Sequence, residues 1–420
     1  MGRTKLRNNY FRHFLRIFIR KLLQCRFIGV FNSNQRAAYK ALLAFLPRAG
    51  GEYARTRNYD YGSMQRENVS MLSPWIRPRL LPGWEIIYAV LQVHSKSSAS
   101  KFIDEVCWRT YWKGWLELRP SVWEDYLVEL AKDRERCEKN IGYMQMIEAR
   151  SGIAAMDAWT SELIETGYLH NHARMWYASI WIHTLKLPWT LGAEFFLRHL
   201  LDGDVASNTL SWRWVAGLQT LGKSYLAHKS NICKFTAGRL EVNIPLATES
   251  ALVETGQRIT KPGKLPSHDE SIPNGRIGLL IHEEDLSAVD WLSDSCELVA
   301  VAGLLSPAAY RKYGIEESVI KFRSDCMRSA IPENVEIFSC PTKVAEWAYL
   351  ENLDGVLMAE APVGICKDVI LDLESSLAAR GIKIIKRRHW WDTHLYPAAG
   401  AGFFNFKKSI PSALEKLMQT

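Results

Sequence analysis

Residues 34–245 place apolar side chains at helical spacing almost throughout, as in RMWYASIWIHTLKL (174–187) and LGAEFFLRHLL (191–201), and show little strand-like alternation. That pattern predicts an all-helical domain. Between 246 and 275 the chain turns polar and carries Pro262, Pro266 and Pro273, which predicts a linker or long surface loop. From 276 to 420 short apolar runs (IGLLI, ELVAVAGLL, VEIFS, GVLMAEA, IKIIK) alternate with helical stretches such as 342–352 and 366–380. A Rossmann-like parallel sheet covered by helices is the expected architecture there, so the fold class is α followed by α/β. Ahead of both, residues 1–33 form an arm. Its segment YFRHFLRIFIRKLLQCRFIGVF (10–31) interleaves Arg and Lys with bulky apolar residues and predicts a basic amphipathic helix. Such a helix docks on the protein body, lies on a membrane surface or binds nucleic acid. A mitochondrial presequence would be richer in Ser.

Charge sharpens this division. The net charge of +8 is distributed as +8 over residues 1–26, +5 over 27–245 and −5 over 246–420, and 12 of the 16 Trp lie before 246. A basic, Trp-rich first half favours phosphate partners, although most basic faces are simply solvated. The length of 420 residues suggests two or three domains, and 47% hydrophobic with 23% charged residues excludes collagenous, disulfide-stapled and mostly disordered chains. No run of 18 apolar residues predicts a membrane span. The eight cysteines (25, 107, 137, 233, 296, 326, 340, 366) form no C-x-x-C pair, which argues against a zinc or iron–sulfur site and fits reduced thiols in a cytoplasmic protein. No metal is expected. No G-x-G-x-x-G comes after the first predicted strand, so a dinucleotide site has no support.

The densest chemical signal is DGDVASNTLSWRW (202–214). Asp-Gly-Asp is first of all a turn or helix-start signal, with Asp202 or Asp204 capping the next helix. Two acids, Asn208, Trp212 and Trp214 nevertheless crowd into 13 residues beside an apolar helix. A buried carboxylate needs a cation or hydrogen-bond donors, and Arg174 in HNHARM is a candidate partner.

The run HNHARM (170–175), LPW (187–189), LLDGDVASN (200–208) and SWRW (211–214) resembles the photolyase/cryptochrome family of flavoproteins, and the likeness extends over roughly 34–230. It implies a helical FAD-binding domain. By that resemblance Ser70, Leu72 and Ser73 in VSMLSP match the loop that holds the FAD phosphates, with Val69 where the family usually has Thr. Tyr53 in YARTR matches the aromatic just upstream, with four extra residues intervening. Arg174 and Asp202 would form the ion pair beside the isoalloxazine ring, Asp204 would accept from its polar edge, and Asn208 would lie near its N5. An anionic reduced flavin is stabilised by a nearby cation, and an amide at N5 bonds without offering a proton.

The lesion side is implied in the same way. Glu105 and Trp108 in DEVCWR, Asn171 and Met175 in HNHARM, and Trp214 stand where cyclobutane-dimer photolyases contact a flipped lesion. Flat apolar walls receive the extruded dinucleotide, and Glu105 and Asn171 would bond its base edges. Trp212 and Trp189 match the proximal and middle members of the family's photoreduction chain. No Trp falls at the distal position, leaving Trp123, Tyr126 or Trp181 as substitutes. Thr110 stands where Glu is common, and His172 replaces an Arg resembling a DNA-backbone contact. Residues 276–408 resemble the family's α/β antenna domain, which normally comes first, so a swapped order and a possible second antenna chromophore are implied. The expected function is light-driven repair of cyclobutane pyrimidine dimers by a monomeric lyase acting on UV-damaged DNA. The alternative is a cryptochrome-like photoreceptor without repair.

Overall fold

The computed structural model describes residues 31–219, 223–251, 253, 261–268 and 271–419, so residues 1–30 of the basic arm lie outside the described residues. Helices occupy the first half. The longest is α1 (Ser100–Glu117), followed by α2 (Ser121–Cys137), α3 (Asn171–Ser179), α4 (Trp189–His199), α5 (Val205–Val215) and α6 (Lys229–Phe235). No helix among the described residues is long and apolar enough to cross a membrane.

Helix α1 has buried residues around much of its circumference: Phe102, Ile103 and Cys107 as well as Tyr111, Lys113, Gly114 and Glu117. One side belongs to the helical core and the other faces the second half of the chain. The α4–α5 crossing is tighter still. A Cβ on Gly192 would sit 2.3 Å from the Trp212 ring, so the absence of a side chain there lets the indole lie directly on the α4 backbone. Helical structure ends at Phe235 rather than continuing toward 245. Gly238 takes a left-handed φ of 74°, and the chain returns in extended form to donate from Ala247 N to Thr184 Oγ1 (3.1 Å) and from Ala251 N to His183 Nδ1 (3.1 Å).

The second half forms a five-stranded, all-parallel sheet of order β3-β2-β1-β4-β5, with β1 (Ile277–His282), β2 (Leu298–Leu304), β3 (Ile337–Phe338), β4 (Gly355–Ala359) and β5 (Lys383–Arg387). All five apolar runs become strands. VEIFS shrinks to two residues at the sheet edge, paired with Gly303 and Leu304. The expected helices appear at Pro341–Leu350 and α7 (Ile365–Ala378). Strand order reverses between β1 and β4, and the crevice beyond their carboxyl ends faces the helical half.

That crevice is where the halves dock. Glu283, Glu284 and Asp285, which come directly after β1, are all buried. Arg77 pairs with both Glu283 and Glu284, Lys113 Nζ lies 2.9 Å from Glu284, and Arg79 bridges Asp285 (2.8 Å) and Asp392. Arg323 Nη2 donates to the carbonyl of Gly203 at 2.9 Å. The closing segment then lies along α1. It contains α8 (Trp390–Leu395) and α9 (Phe403–Phe406); Trp391 Nε1 donates to Thr110 Oγ1 (3.1 Å) and Tyr111 Oη donates to Ala401 O (2.9 Å).

Candidate flavin and lesion site

The centre of the site is the turn between α4 and α5. Arg174, on α3, places Nη1 3.1 Å from Asp202 Oδ1 and Nη2 3.0 Å from Oδ2, a bidentate pair. Burial by itself would raise the Asp202 carboxyl. The Arg174 and Arg109 guanidiniums, with hydrogen bonds from Arg174 and Ser73, hold it below the usual carboxylate range. Asp204 caps α5 by accepting from Ser207 N (2.7 Å) and Ser207 Oγ (3.0 Å), and it also pairs with Arg109. Two buried carboxylates and two guanidiniums therefore share one small volume. Asn208 is one turn into α5 and 8% exposed, and its Nδ2 donates to Ala193 O at 2.7 Å.

The upstream loop reaches the same cluster. Leu72 is fully buried and Ser73 bonds Asp202, which ties the loop to the Arg174 pair. Met71 adopts a left-handed φ of 51°. Among the described residues the backbone N–H groups of Ser70, Met71 and Ser73 donate to no backbone oxygen, while Ser70 Oγ accepts weakly from Leu72 N at 3.5 Å. Tyr53 is buried between the rings of Phe45 (5.9 Å) and Phe102 (5.1 Å).

The five lesion-side residues distribute over three helices. Glu105 on α1 pairs with Arg57; burial raises its carboxyl and Arg57 lowers it, leaving it above the ordinary value. Trp108 is half-buried, with one face stacked on Phe403 at 3.7 Å and 8°. Asn171 is exposed at the start of α3 and Met175 is half-buried one turn on. His170 links this end to the Glu105 pair, because its Nε2 lies 3.1 Å from the carbonyl of Arg57. Burial pushes the His170 imidazole down to about 4, so it is neutral near pH 7. Trp214 on α5 is 36% exposed and stacks on Tyr225 at 5.6 Å. Among the described residues no ring contact joins Trp214 to Trp108.

The aromatic residues fall into two contact groups. Trp212 and Trp189 are both buried, and Trp212 lies against Gly192 in the α4–α5 contact with Trp181 beside it. Trp189 lies 5.5 Å from Tyr126, Tyr126 stacks on Trp123 at 5.1 Å, and Trp123 stacks on Tyr313 of the second half at 6.1 Å. Trp181 instead touches Trp212 at 6.2 Å. Sequence reasoning missed Arg109 and Arg57. The available signal was Arg109 at i+4 from Glu105, which puts both on one side of α1.

Residues 102–237 match the family model described as the FAD binding domain of DNA photolyase. Over this span the helical half is similar to the photolyase/cryptochrome family. The matched span holds Arg109, Arg174, Asp202, Asp204 and Asn208, while Tyr53 and the Ser70–Ser73 loop precede it. The deoxyribodipyrimidine photo-lyase of Escherichia coli is 26% identical over 201 residues, covering 46% of this chain and 42% of its own. That of Thermus thermophilus is 32% identical over 190 residues, covering 44% and 43%. A solved class III photolyase of Agrobacterium tumefaciens is 23% identical with a TM-score of 0.42, covering 49% of this chain and 43% of that one. The chain thus spans about two fifths of the length of these relatives. For a photolyase-type domain the donor set fits FAD. Serine hydroxyls and unengaged amides suit the phosphates, two guanidiniums suit an anionic ring system, and buried carboxylates suit its N–H edge.

Proposed function

We propose that this chain holds FAD against α1, α3, α5 and the Ser70–Ser73 loop and repairs cyclobutane pyrimidine dimers in DNA under light. The observation that carries the reading is the joined Ser73–Asp202–Arg174 and Asp204–Arg109 cluster beside Asn208. Reduced FAD, when bound, supplies the electron that splits the dimer. Arg174 and Arg109 hold positive charge beside the ring, Asp202 and Asp204 fix their geometry, and the Asn208 amide offers no acidic proton. Trp108 and Trp214 would wall the lesion, Met175 would fill beside them, and Asn171 and Glu105 would bond its bases, with Arg57 fixing the Glu105 carboxylate. We also propose that the chain carries the family's two halves in reverse order, with boundaries near 34–245 and 276–420.

A thymine-dimer oligonucleotide incubated with purified protein, reductant and blue light tests the reading; no loss of dimer relative to a dark control sinks it. Glu105→Ala should cut repair about tenfold or more, the scale of a lost hydrogen bond to a charged group, while flavin absorbance is retained. Loss of the flavin instead would remove Glu105 from the lesion set.

The cryptochrome-like alternative draws on Thr110 and Trp108, which are engaged by Trp391 and Phe403. A yellow, photoreducible protein that repairs nothing would favour it. Electrons would enter along the contacts Tyr313, Trp123, Tyr126 and Trp189 and pass to Trp212 as the family resemblance implies. Tyr313 Oη, 2.6 Å from Asp368 Oδ2, passes its proton to that carboxylate as it loses an electron, and an added thiol re-reduces it. Tyr126→Phe and Trp123→Phe should therefore slow photoreduction, with Trp181→Phe near wild type. Transient absorption reads this, and a slow Trp181→Phe with a fast Tyr126→Phe would reverse the assignment.

The small cleft beyond β1 and β4 is lined by Lys113, Glu117, Glu284, Asp285, Glu360 and Arg388 together with Ala361, Pro362 and Tyr396, and nothing there supports a second chromophore.

A further inference from the structure

Beside the exposed end of α3 the rings form a continuous series that the flavin and lesion roles leave unused. His172 stacks on Trp176 at 4.4 Å, His172 meets Phe235 at 5.2 Å, Phe235 meets Tyr59 at 5.0 Å, and Tyr59 lies parallel to Tyr61 at 5.5 Å and 9°. The series starts next to Asn171 and ends on Tyr61, which is 36% exposed. Tyr59 and Tyr61 stand two apart in an extended stretch, so they share a face.

This surface is built rather than incidental. Asp60, between the two tyrosines, is fully buried. Its carboxylate accepts from Gly62 N (3.1 Å) and Arg239 Nη2 (2.9 Å), and its own N–H donates to Phe235 O (2.7 Å). Gly62 takes a left-handed φ of 92°, and a Cβ there would press on Arg239 Nε at 3.2 Å. The loop is thereby pinned to the end of α6 before any ligand arrives. Cations flank the rings: Lys234 lies 5.2 Å over Phe235, and Arg239 stays exposed beside the Asp60 carboxylate.

An exposed ring at the end of a parallel tyrosine pair, with further aromatic edges and cations alongside, is what unpaired bases need, because every base has a π-face and the backbone needs only positive charge. A duplex hides those faces in its own stack. We infer that Tyr61, Tyr59, Phe235 and His172 form a stacking track for single-stranded DNA flanking the lesion, with Tyr61 as its open end. The track gives the protein a preference for single-stranded over duplex DNA. It rests on the DNA-repair reading for its place beside the lesion, and its binding can be measured without any lesion.

The probe is fluorescein-labelled oligothymidylate, alone and annealed to its complement, titrated with the full chain at fixed salt and read by anisotropy. Wild type should bind the single strand more tightly. Tyr61→Ala should weaken that binding about tenfold, the scale of one lost base stack, and change duplex binding far less. Tyr61→Phe should restore it, since the flat ring rather than the hydroxyl is used. Equal losses on both probes, no loss on either, or a Tyr61→Phe as weak as Tyr61→Ala overturns the track. Because Tyr61 is exposed, a melting temperature matching wild type separates lost binding from lost fold. Repair of a dimer in the same oligonucleotide distinguishes the two readings. A Tyr61→Ala that binds and repairs like wild type sinks the track alone. A wild type that shows the strand preference but repairs nothing sinks the repair reading alone.

Discussion

Arg77→Met should lower the thermal midpoint at neutral pH more than removal of any exposed ion pair, by about 3 kcal/mol or roughly 10 °C. Arg77 is 3% exposed and faces Glu283 and Glu284, which are equally shielded from water, so its loss strands two carboxylates where hydration cannot compensate. Lys113 remains on Glu284 and Arg323 lies nearby, which keeps the cost at the lower end of that range. The pH dependence fixes the cause. Burial would raise the Glu284 carboxyl, but Arg77 and Lys113 drive it well below the ordinary range. A depressed carboxyl contributes stability that is present above its unfolded value and lost as pH falls. Wild type should therefore weaken below about pH 4.5. The Arg77→Met deficit should shrink there, because acid neutralises the stranded carboxylates. A deficit constant from pH 7 to pH 4, read by circular dichroism melts, would mean that packing rather than charge holds this junction.

Arg174→Ala should give a protein purified without yellow colour and destabilised by about 2 kcal/mol. Asp202 is 4% exposed and would keep only Ser73 and Arg109 as compensation. The pair is bidentate, so Lys in place of Arg would recover charge but not both bonds and should restore little. Flavin absorbance at 450 nm after gel filtration measures the first effect, and full occupancy in Arg174→Ala would remove this guanidinium from the flavin site. Since the Asp202 carboxylate is needed in its charged form, flavin retention in wild type should be steady above pH 5 and fall only in acid.

The strands were legible because each apolar run is bounded by polar turns, and a central parallel strand such as β1, buried along its whole length, must read as continuous apolar sequence. Arg174 and Asp202 were legible because an acid beside an apolar helix demands a partner. What escaped was set by distant sequence. Glu283, Glu284 and Asp285 look like an exposed acidic turn until Arg77, Lys113 and Arg79 arrive from about 200 residues away. Part of the basic excess of the first half is thus neutralised internally rather than offered to a partner. Phe403 on the Trp108 face is likewise a contact across nearly 300 residues. Arg109 was hidden for another reason: a guanidinium after a Trp on a long helix reads as solvated until the cap of α5 is seen beside it.

Helix α1 carries Glu105, Trp108 and Arg109 toward one end and Lys113, Gly114 and Glu117 toward the other, on a single 18-residue rod of about 27 Å. The C-terminal half grips this rod along its length, through Phe403 on Trp108, Trp391 on Thr110, and Tyr396 and Ala399 against Gly114. A shift of the sheet half would be carried directly to the indole of Trp108, so that attachment between the halves and the alignment of the proposed lesion site would be a single mechanical variable.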